Sequence, residues 1–255
     1  MLVSIVTPTL NSVEYIRQSI ASVQMQSSPR VEVEHIVVDG GSTDGTVDVA
    51  RELGCTVITG HDQGIFDATN IGTRASKGHL VGFLGADDLL MPGALEAIVR
   101  RYEASSCRWV TGAFRHSDGD LRSQGDVAAP PKWLSAELMA SLGWCYIMHM
   151  ATYVERGLFD EIGGFDPSWK YAGDYKFFSR ALQIANFARE PAVITVFRRH
   201  GGNMSMSATP RYFEETTMVA DEFGPRQRWK RELYRWFMKV WVNGRNPRWF
   251  AAKHR

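Results

Sequence analysis

The sequence predicts an α/β fold, a mainly parallel sheet flanked by helices on both faces. Three observations lead there. Over the first hundred residues, near-continuous apolar runs alternate with segments of helical character, as strands buried on both faces and joined by crossover helices do. An apolar fraction of 44% in 255 residues is enough for the core of one large domain with an appendage. Each of the first four apolar runs also ends in polar or acidic residues, and in open α/β sheets ligands sit beyond the carboxyl ends of the strands.

LVSIVTPT reads as the first strand. Thr7, Pro8 and Asn11 interrupt the apolar run, so it does not resemble a signal peptide. Asn11, with Glu14 three residues on, predicts a capping box opening a helix through about Met25. VEVEHIVVD is the second strand, and GGSTDGT leads into a helix from about Thr43 to Leu53. CTVITG gives a short third strand, IFDATNIGTRA a helix, HLVGFLG the fourth strand and PGALEAIVRRYEA another helix. Beyond residue 105 the pattern is less regular. SDGDLRSQGDVAAPP reads as a polar loop, YIMHMATYV as a strand, DYKFFSRALQI as a helix, and VITVFRRHGGNMS as a strand running into a loop.

Composition excludes several classes. Cys55, Cys107 and Cys145 are odd in number and widely spaced, which argues against a disulfide framework or a zinc site and fits a reducing cytosol. No charge-free apolar run is long enough to span a bilayer. The net charge of +1 is unevenly placed: residues 226–255 carry ten Lys and Arg against one acid, Glu232, leaving 19 basic and 27 acidic residues, a net of −8, in residues 1–225. The expected organisation is therefore an acidic body over 1–225 and a basic tail over 226–255.

The strand exits carry the chemistry. Thr7, Pro8, Thr9 and Asn11 follow strand one, Asp39 strand two, His61 and Asp62 strand three, and Asp87 and Asp88 strand four. Two adjacent carboxylates repel unless compensated. They suit either a helix N-cap or Mg²⁺ or Mn²⁺ completed by substrate phosphates, and Pro92 places the helix start a few residues too late for the cap. VVDGGSTDGT lacks the lysine of a P-loop and the GxGxxG spacing. Asp39 suits hydrogen bonds to a nucleobase or ribose, whereas Ser42, Thr43 and Asp44 suit a tight turn capping the next helix. Asp174, before Tyr175, Phe177 and Phe178, fits a helix start and a general base equally. Arg198, Arg199 and His200 precede Gly201 and Gly202, a group that suits a diphosphate with the histidine as a metal ligand, against the ordinary reading of a surface histidine. His149, among apolar residues, reads as a core or pocket-wall histidine.

TPTLN, VVDGGSTDGT, DQGIFDATNIG, GHLVGFLGADDLLMPGAL and GDYKFFSRAL occur in the order seen in family 2 glycosyltransferases of the GT-A fold, and the likeness covers about residues 1–205. DQGIFDATNIG resembles bacterial members that build lipopolysaccharide, capsule or exopolysaccharide. The resemblance implies that Asp39 contacts the nucleoside, that TPTLN lines its pocket, and that Asp87 coordinates the metal with Asp88 beside it. It implies that Asp174 is the base, that His200 contacts the diphosphate or the metal, and that Asp62, Asp67 and Asn70 line the donor pocket. Gly85 departs from the pattern, standing where a DxD motif carries its first acid.

In the tail, Trp229, Leu233, Trp236, Phe237, Val240 and Trp241 share one helical face, and Arg228, Arg231, Arg235 and Lys239 fall largely on the other. Such a helix suits an anionic membrane surface, or packs on the body with a solvated basic face. Nucleic acid fits poorly, because the acidic body opposes a polyanion. The expected protein is a metal-dependent, inverting glycosyltransferase. It would use a nucleotide-diphosphate sugar and a hydroxyl acceptor on a lipid-linked saccharide, in the cytoplasm or on the cytoplasmic face of the inner membrane. The rival readings are a sugar nucleotidyltransferase, distinguished by pyrophosphate release, and a non-catalytic binding module. A glycosidase is excluded, because adjacent Asp87 and Asp88 cannot straddle a sugar ring.

Overall fold

The computed structural model describes residues 1–203 and 209–247. In chain order the first half comprises β1 (Leu2–Thr9), α1 (Val13–Gln24), β2 (Glu32–Asp39), α2 (Thr46–Glu52), β3 (Thr56–Thr59), α3 (Ile65–Ala75) and β4 (Leu80–Phe83). β1 pairs in parallel with β2 and β4, and β2 with β3. Strand β2 shows why these runs are almost wholly apolar. Ile36 and Val38 enter the main core, while Val37 enters a second cluster with Ile16, Ile20 and Ala50, so both faces of the strand are covered.

The second half comprises β5 (Leu89–Leu90), α4 (Ala94–Glu103), β6 (Trp109–Ser117), β7 (Ser123–Val127), α5 (Ala136–Leu142), a 3₁₀ turn (His149–Ala151), β8 (Thr152–Glu155), α6 (Arg156–Ile162), α7 (Gly173–Ile184), β9 (Ala188–Arg198), α8 (Pro210–Phe223) and α9 (Arg228–Arg245). The sheet order is β3-β2-β1-β4-β8-β6-β9-β5, with β7 beside β6. The parallel half is the one formed by the regular part of the sequence. Beyond it the sheet is mixed, since β8 runs antiparallel to β4 and β6, and β5 antiparallel to β9.

Several local expectations are corrected. The helix after β1 begins past Ser12, and Asn11 forms no capping box, because its backbone is left-handed at φ 49°. Its Oδ1 instead accepts from Thr43 N–H at 2.9 Å, while Asp44 Oδ2 accepts from Val13 N–H at 3.0 Å. The loops after β1 and β2 thus cap each other across space. The second helix starts at Thr46 rather than Thr43, since Asp39, Ser42 and Asp44 hold the preceding residues in turns. The supposed polar loop contains β7, paired as a hairpin with β6, and YIMHMATYV is strand only from Thr152. Met204 and Ser205, at the end of VITVFRRHGGNMS, and the last eight residues of the tail lie outside the described residues.

Helix α9 packs on the body, but with its faces the other way round from the packed alternative. Met238 and Val242 are buried against α5, Arg235 Nε donates to Ser141 O at 3.1 Å, and Arg231 pairs with Asp221 at 2.9 Å. Much of the basic face therefore meets the polar and acidic body; Trp229, Leu233, Trp236 and Val240 are turned to solvent, while Trp241 packs inward beside Tyr146.

Candidate active site

The two acids after β4 are placed by strands that are remote in sequence. β5 is only two residues long, but its antiparallel pairing with β9 sets residues 87–88 beside the loop that leaves β9. Asp88 is buried and accepts from Arg198 N–H at 3.0 Å. Asp87 lies more open. Its Oδ2 meets His200 Nε2 at 2.9 Å and accepts from Asn203 Nδ2 at 2.9 Å. Gly202 N–H donates to His200 Nδ1 at 3.1 Å, which assigns the ring hydrogen to Nε2, facing Asp87. The imidazole stacks on Tyr15, with centroids 4.6 Å apart. Neither acid caps a helix, since α4 begins at Ala94.

Gly85 fits this arrangement. A β-carbon there would lie 2.7 Å from Asp87 Oδ1 and 3.0 Å from Asp88 Oδ2, so both carboxylates converge on the space its missing side chain leaves. Burial, together with the charge of Asp87, pushes the Asp88 carboxyl well above the usual range, and a cation here would relieve that strain on the charged form. No group of three or more His, Cys, Asp or Glu side chains able to hold a metal occurs among the described residues. Asp87 fits a Mg²⁺ or Mn²⁺ whose shell is completed by phosphate oxygens and water. His200 would join it through Nε2 only with that nitrogen's hydrogen moved to Nδ1 and the Gly202 contact given up.

Asp174 sits in the first turn of α7 with Oδ1 accepting from Tyr175 N–H at 2.7 Å. With Asp87, Asp88 and Pro8 it lines a cleft of about 230 Å³ whose other walls include Phe66, Leu84, Met148, His149, Lys170 and Tyr212. The other candidate base and the candidate metal ligand thus face one space. Arg199 and His200 line a shallower groove with Gln124 and Gly201, next to the cleft through the His200–Asp87 contact.

The remaining predicted residues divide by what occupies their polar atoms. Asp39, at the end of β2, has both oxygens engaged by its own loop: Oδ2 accepts from Gly41 and Ser42 N–H at 2.9 and 2.8 Å, and Oδ1 from the Ser42 hydroxyl. Oδ1 keeps a second lone pair, at which a base could bond beside that hydroxyl. Thr9 Oγ1, on the neighbouring strand end, is buried without a partner. Asp62 Oδ1 accepts from Gly64 N–H at 2.9 Å, and its Oδ2 lies 2.9 Å from where a β-carbon on Gly40 would stand.

Four residues are turned to the fold rather than to the cleft. Thr7 bonds beneath the sheet to His35 at 2.9 Å, a histidine whose burial pushes it down to about 4. Asn70 clips the backbone of Phe165, donating to its carbonyl at 2.7 Å and accepting from its N–H at 2.9 Å. Asp67 accepts from Gln63 N–H at 3.1 Å at the start of α3. The Arg198 guanidinium is buried over Tyr15 and bonded to Gln18. Each has the polarity of a ligand residue, but a neighbour already takes at least one of its hydrogen bonds; Arg198 Nε has no partner, and Asp67 is half-buried with its bond at Oδ2 alone.

Sequence reasoning missed Asn203, Tyr15 and Glu215. Glu215, on α8, is buried and accepts from Lys170, Tyr171 and Ala172 N–H at 3.0, 2.8 and 2.9 Å, and from Arg211 Nε at 2.8 Å. It thereby fixes the segment leading into Asp174. Burial raises its carboxyl, but Arg211 and the three N–H donors outweigh this and hold it below its ordinary 4.5. Its contribution is therefore complete at neutral pH and is lost as pH falls through the folded-state value. Glu215→Ala strands three donors at about 1–3 kcal/mol each before relaxation. A loss of about 3–5 kcal/mol is expected in urea unfolding at pH 7, and an unchanged midpoint would show the clamp to be dispensable. No local signal marks it, because Glu215 looks like any acid on a helix.

Comparisons with known proteins bear on the family and the fold. The model of the family described as "Glycosyl transferase family 2" matches residues 4–162. The chain is 29% identical over 253 residues to a PGL/p-HBAD biosynthesis glycosyltransferase of Mycobacterium bovis, covering 91% of this chain and 92% of that one. Its fold is similar to that of S. aureus TarS in complex with UDP-GlcNAc, with TM-score 0.70, 18% identity, and 92% and 70% of the two chains covered. It is also similar to a mannosyltransferase of Pyrobaculum calidifontis in complex with GDP-Man and Mn²⁺, with TM-score 0.61, 19% identity, and 98% and 73% covered.

Proposed function

The chain belongs to glycosyl transferase family 2, a glycosyltransferase with the GT-A fold, and we propose that it is metal-dependent and inverting. On this reading it moves a sugar from a nucleotide diphosphate to a hydroxyl of a lipid-linked saccharide. The observation that supports it is the shared cleft: Asp174 and Asp87 face one space of about 230 Å³, and His200 meets Asp87 from the adjoining groove. Two of the similar structures hold nucleotide sugars, one of them with Mn²⁺.

Asp174 takes the proton of the acceptor hydroxyl as its oxygen bonds to the anomeric carbon. The bond from that carbon to the diphosphate breaks on the opposite side, its electron pair leaving with the phosphate. Asp87 and His200 would hold a divalent ion, which when bound offsets the charge of the departing diphosphate. Arg199, in the adjoining groove, and Lys170, in the cleft, are the cations nearest that group. The nucleoside lies at the ends of β1, β2 and β3, where the Asp39 turn frames it beside Thr9, Asn11 and Asp62. A panel of UDP-, GDP- and dTDP-sugars with and without Mn²⁺ tests the donor by thermal stabilisation, since a ligand of the native state raises apparent stability. No stabilisation by any of them, or pyrophosphate release from a sugar phosphate and a nucleoside triphosphate, would overturn the reading.

We assign the outward face of α9 to an anionic lipid surface on the cytoplasmic side of the membrane, where a lipid-linked acceptor lies. Among the described residues no helix is long and apolar enough to cross a membrane. Trp229, Leu233, Trp236 and Val240 form a solvent-facing stripe, 50–69% exposed, opposite buried Met238 and Val242. Exposed Arg226, Arg228, Lys239 and Arg245 accompany it. Two copies meeting on this face would bring those cations together, whereas an anionic bilayer attracts each by about 1 kcal/mol. Sedimentation with phosphatidylglycerol vesicles is expected to carry down the protein. Pure phosphatidylcholine vesicles, or a Trp229→Ser/Trp236→Ser variant, should leave it in solution. A dimer abolished by the same variant would instead assign the face to a second copy.

A further inference from the structure

His149 is a wall of the cleft whose polar chemistry the reaction above leaves unused. It stands in the 3₁₀ turn before β8, and Thr152, three residues on, ties that turn down by donating to Met148 O at 2.8 Å and accepting from the Thr111 hydroxyl at 3.0 Å. The imidazole lines the cleft. Its Nδ1 is closed off from solvent and has no hydrogen-bond partner. Buried polar atoms are nearly always bonded, and one that is not needs a reason. The nearest charged atom is Asp174 Oδ2, 3.5 Å away, with the two side chains 30% and 17% exposed. Asp174 approaches from a different element, the first turn of α7, and its other oxygen is already held by Tyr175 N–H. Oδ2 is thus the oxygen left for a proton, and Nδ1 is the unpartnered ring nitrogen beside it, a lone pair when the ring hydrogen is on Nε2.

We propose that His149 is a positioning residue for Asp174: it orients Oδ2 and receives the proton that Asp174 takes from the acceptor. The inference rests on the reading of Asp174 as the base. In the first step the acceptor O–H bond breaks, its proton passes to Oδ2, and the oxygen's electron pair forms the bond to the anomeric carbon as the diphosphate leaves. In the second, the proton moves from Oδ2 to the lone pair on Nδ1, which restores the carboxylate and leaves an imidazolium. Release of a proton to water from the half-exposed ring returns the histidine to neutral imidazole. A gap of 3.5 Å is longer than a working hydrogen bond, and catalytic contacts commonly tighten when substrate is bound. Of the other titratable groups near Asp174, Cys145 and Tyr212 are raised above their ordinary values by burial, so neither competes for the proton near neutral pH; Lys170 and Tyr171 also line the cleft.

The test uses the full chain, Mn²⁺ and whichever UDP-, GDP- or dTDP-sugar stabilises it, with water as the acceptor, and follows donor hydrolysis. In His149→Gln, kcat is expected to fall about 10- to 100-fold, with KM for the donor within about twofold of wild type. His149→Ala is expected to lose as much and to recover in part when imidazole is added to the buffer, while Asp174→Asn gains nothing from imidazole. A His149→Gln enzyme with wild-type kcat overturns the inference. So does a loss in His149→Ala that imidazole leaves untouched, which would mark His149 as packing alone. Wild-type hydrolysis by Asp174→Asn would instead overturn the reading of Asp174 as the base. An inactive Asp174→Asn beside a fully active His149→Gln sinks only the role given to His149.

Discussion

Asp174→Asn is expected to lower sugar transfer by about 10²- to 10⁴-fold, the range that a positioned general base supplies. The substitution keeps the shape of the side chain and the oxygen that accepts from Tyr175 N–H at 2.7 Å, so α7 should stay capped. What it removes is the capacity to take a proton at the second oxygen. The donor's diphosphate is assigned to the Asp87–His200 end of the cleft, so donor affinity should change little. Single-turnover transfer with separately measured donor binding checks this. A variant that binds donor and still turns over near the wild-type rate would leave the acceptor's proton without an assigned destination.

Asp87→Ala is expected to abolish the Mn²⁺-dependent part of stabilisation by a nucleotide sugar and to lower turnover by about 10²- to 10³-fold, as loss of one preorganised electrostatic group does. The reason is concentration of roles. Asp87 Oδ2 engages both His200 and Asn203, so one truncation removes a carboxylate and frees the side chains that shape the β9 exit. Asp88 does not substitute for it, because it is buried and its Oδ1 is bonded to Arg198 N–H. Differential scanning with and without Mn²⁺ separates the effects: the protein alone should melt close to wild type, and only the metal-linked shift should vanish. Excess chelator should reproduce the catalytic loss in the unmodified enzyme. Full turnover in chelator would remove the metal from the mechanism.

The regular half of the sheet was legible from the residues because its rules are local. A strand buried on both faces must be apolar along its length, as IVV in β2 is, with Val37 in one cluster and Ile36 and Val38 in the other. The second half was harder for an equally physical reason. β5 has two residues and exists only through pairing with β9, and β7 is a polar edge strand made by its hairpin with β6. Propensity says little about either. Helix starts were misplaced where a cap came from another loop, as when Asp44 accepts from Val13 N–H in place of the Asn11 box.

The candidate site divides along the same line. Residue type and position after a strand or at a helix start were enough to single out Asp87, Asp88, His200 and Asp174. They did not separate those acids from Asp67, or the free polar groups from Thr7 and Asn70, whose hydrogen bonds turn inward. Availability depends on what else is near a lone pair, and that neighbour is commonly a hundred residues away.

By itself, then, the sequence determined the parallel half of the sheet, the acidic strand exits and the amphipathic character of the last helix, since each follows from periodicity and chemistry within a short window. Tertiary structure alone decided that His200 meets Asp87 across 113 residues, that His149 faces Asp174, that Glu215 clamps the approach to α7, and that α9 turns Trp229 and Trp236 outward but Trp241 inward. Those are contacts between side chains that chain order does not relate, and only packing of the whole sheet and its helices brings them within bonding distance.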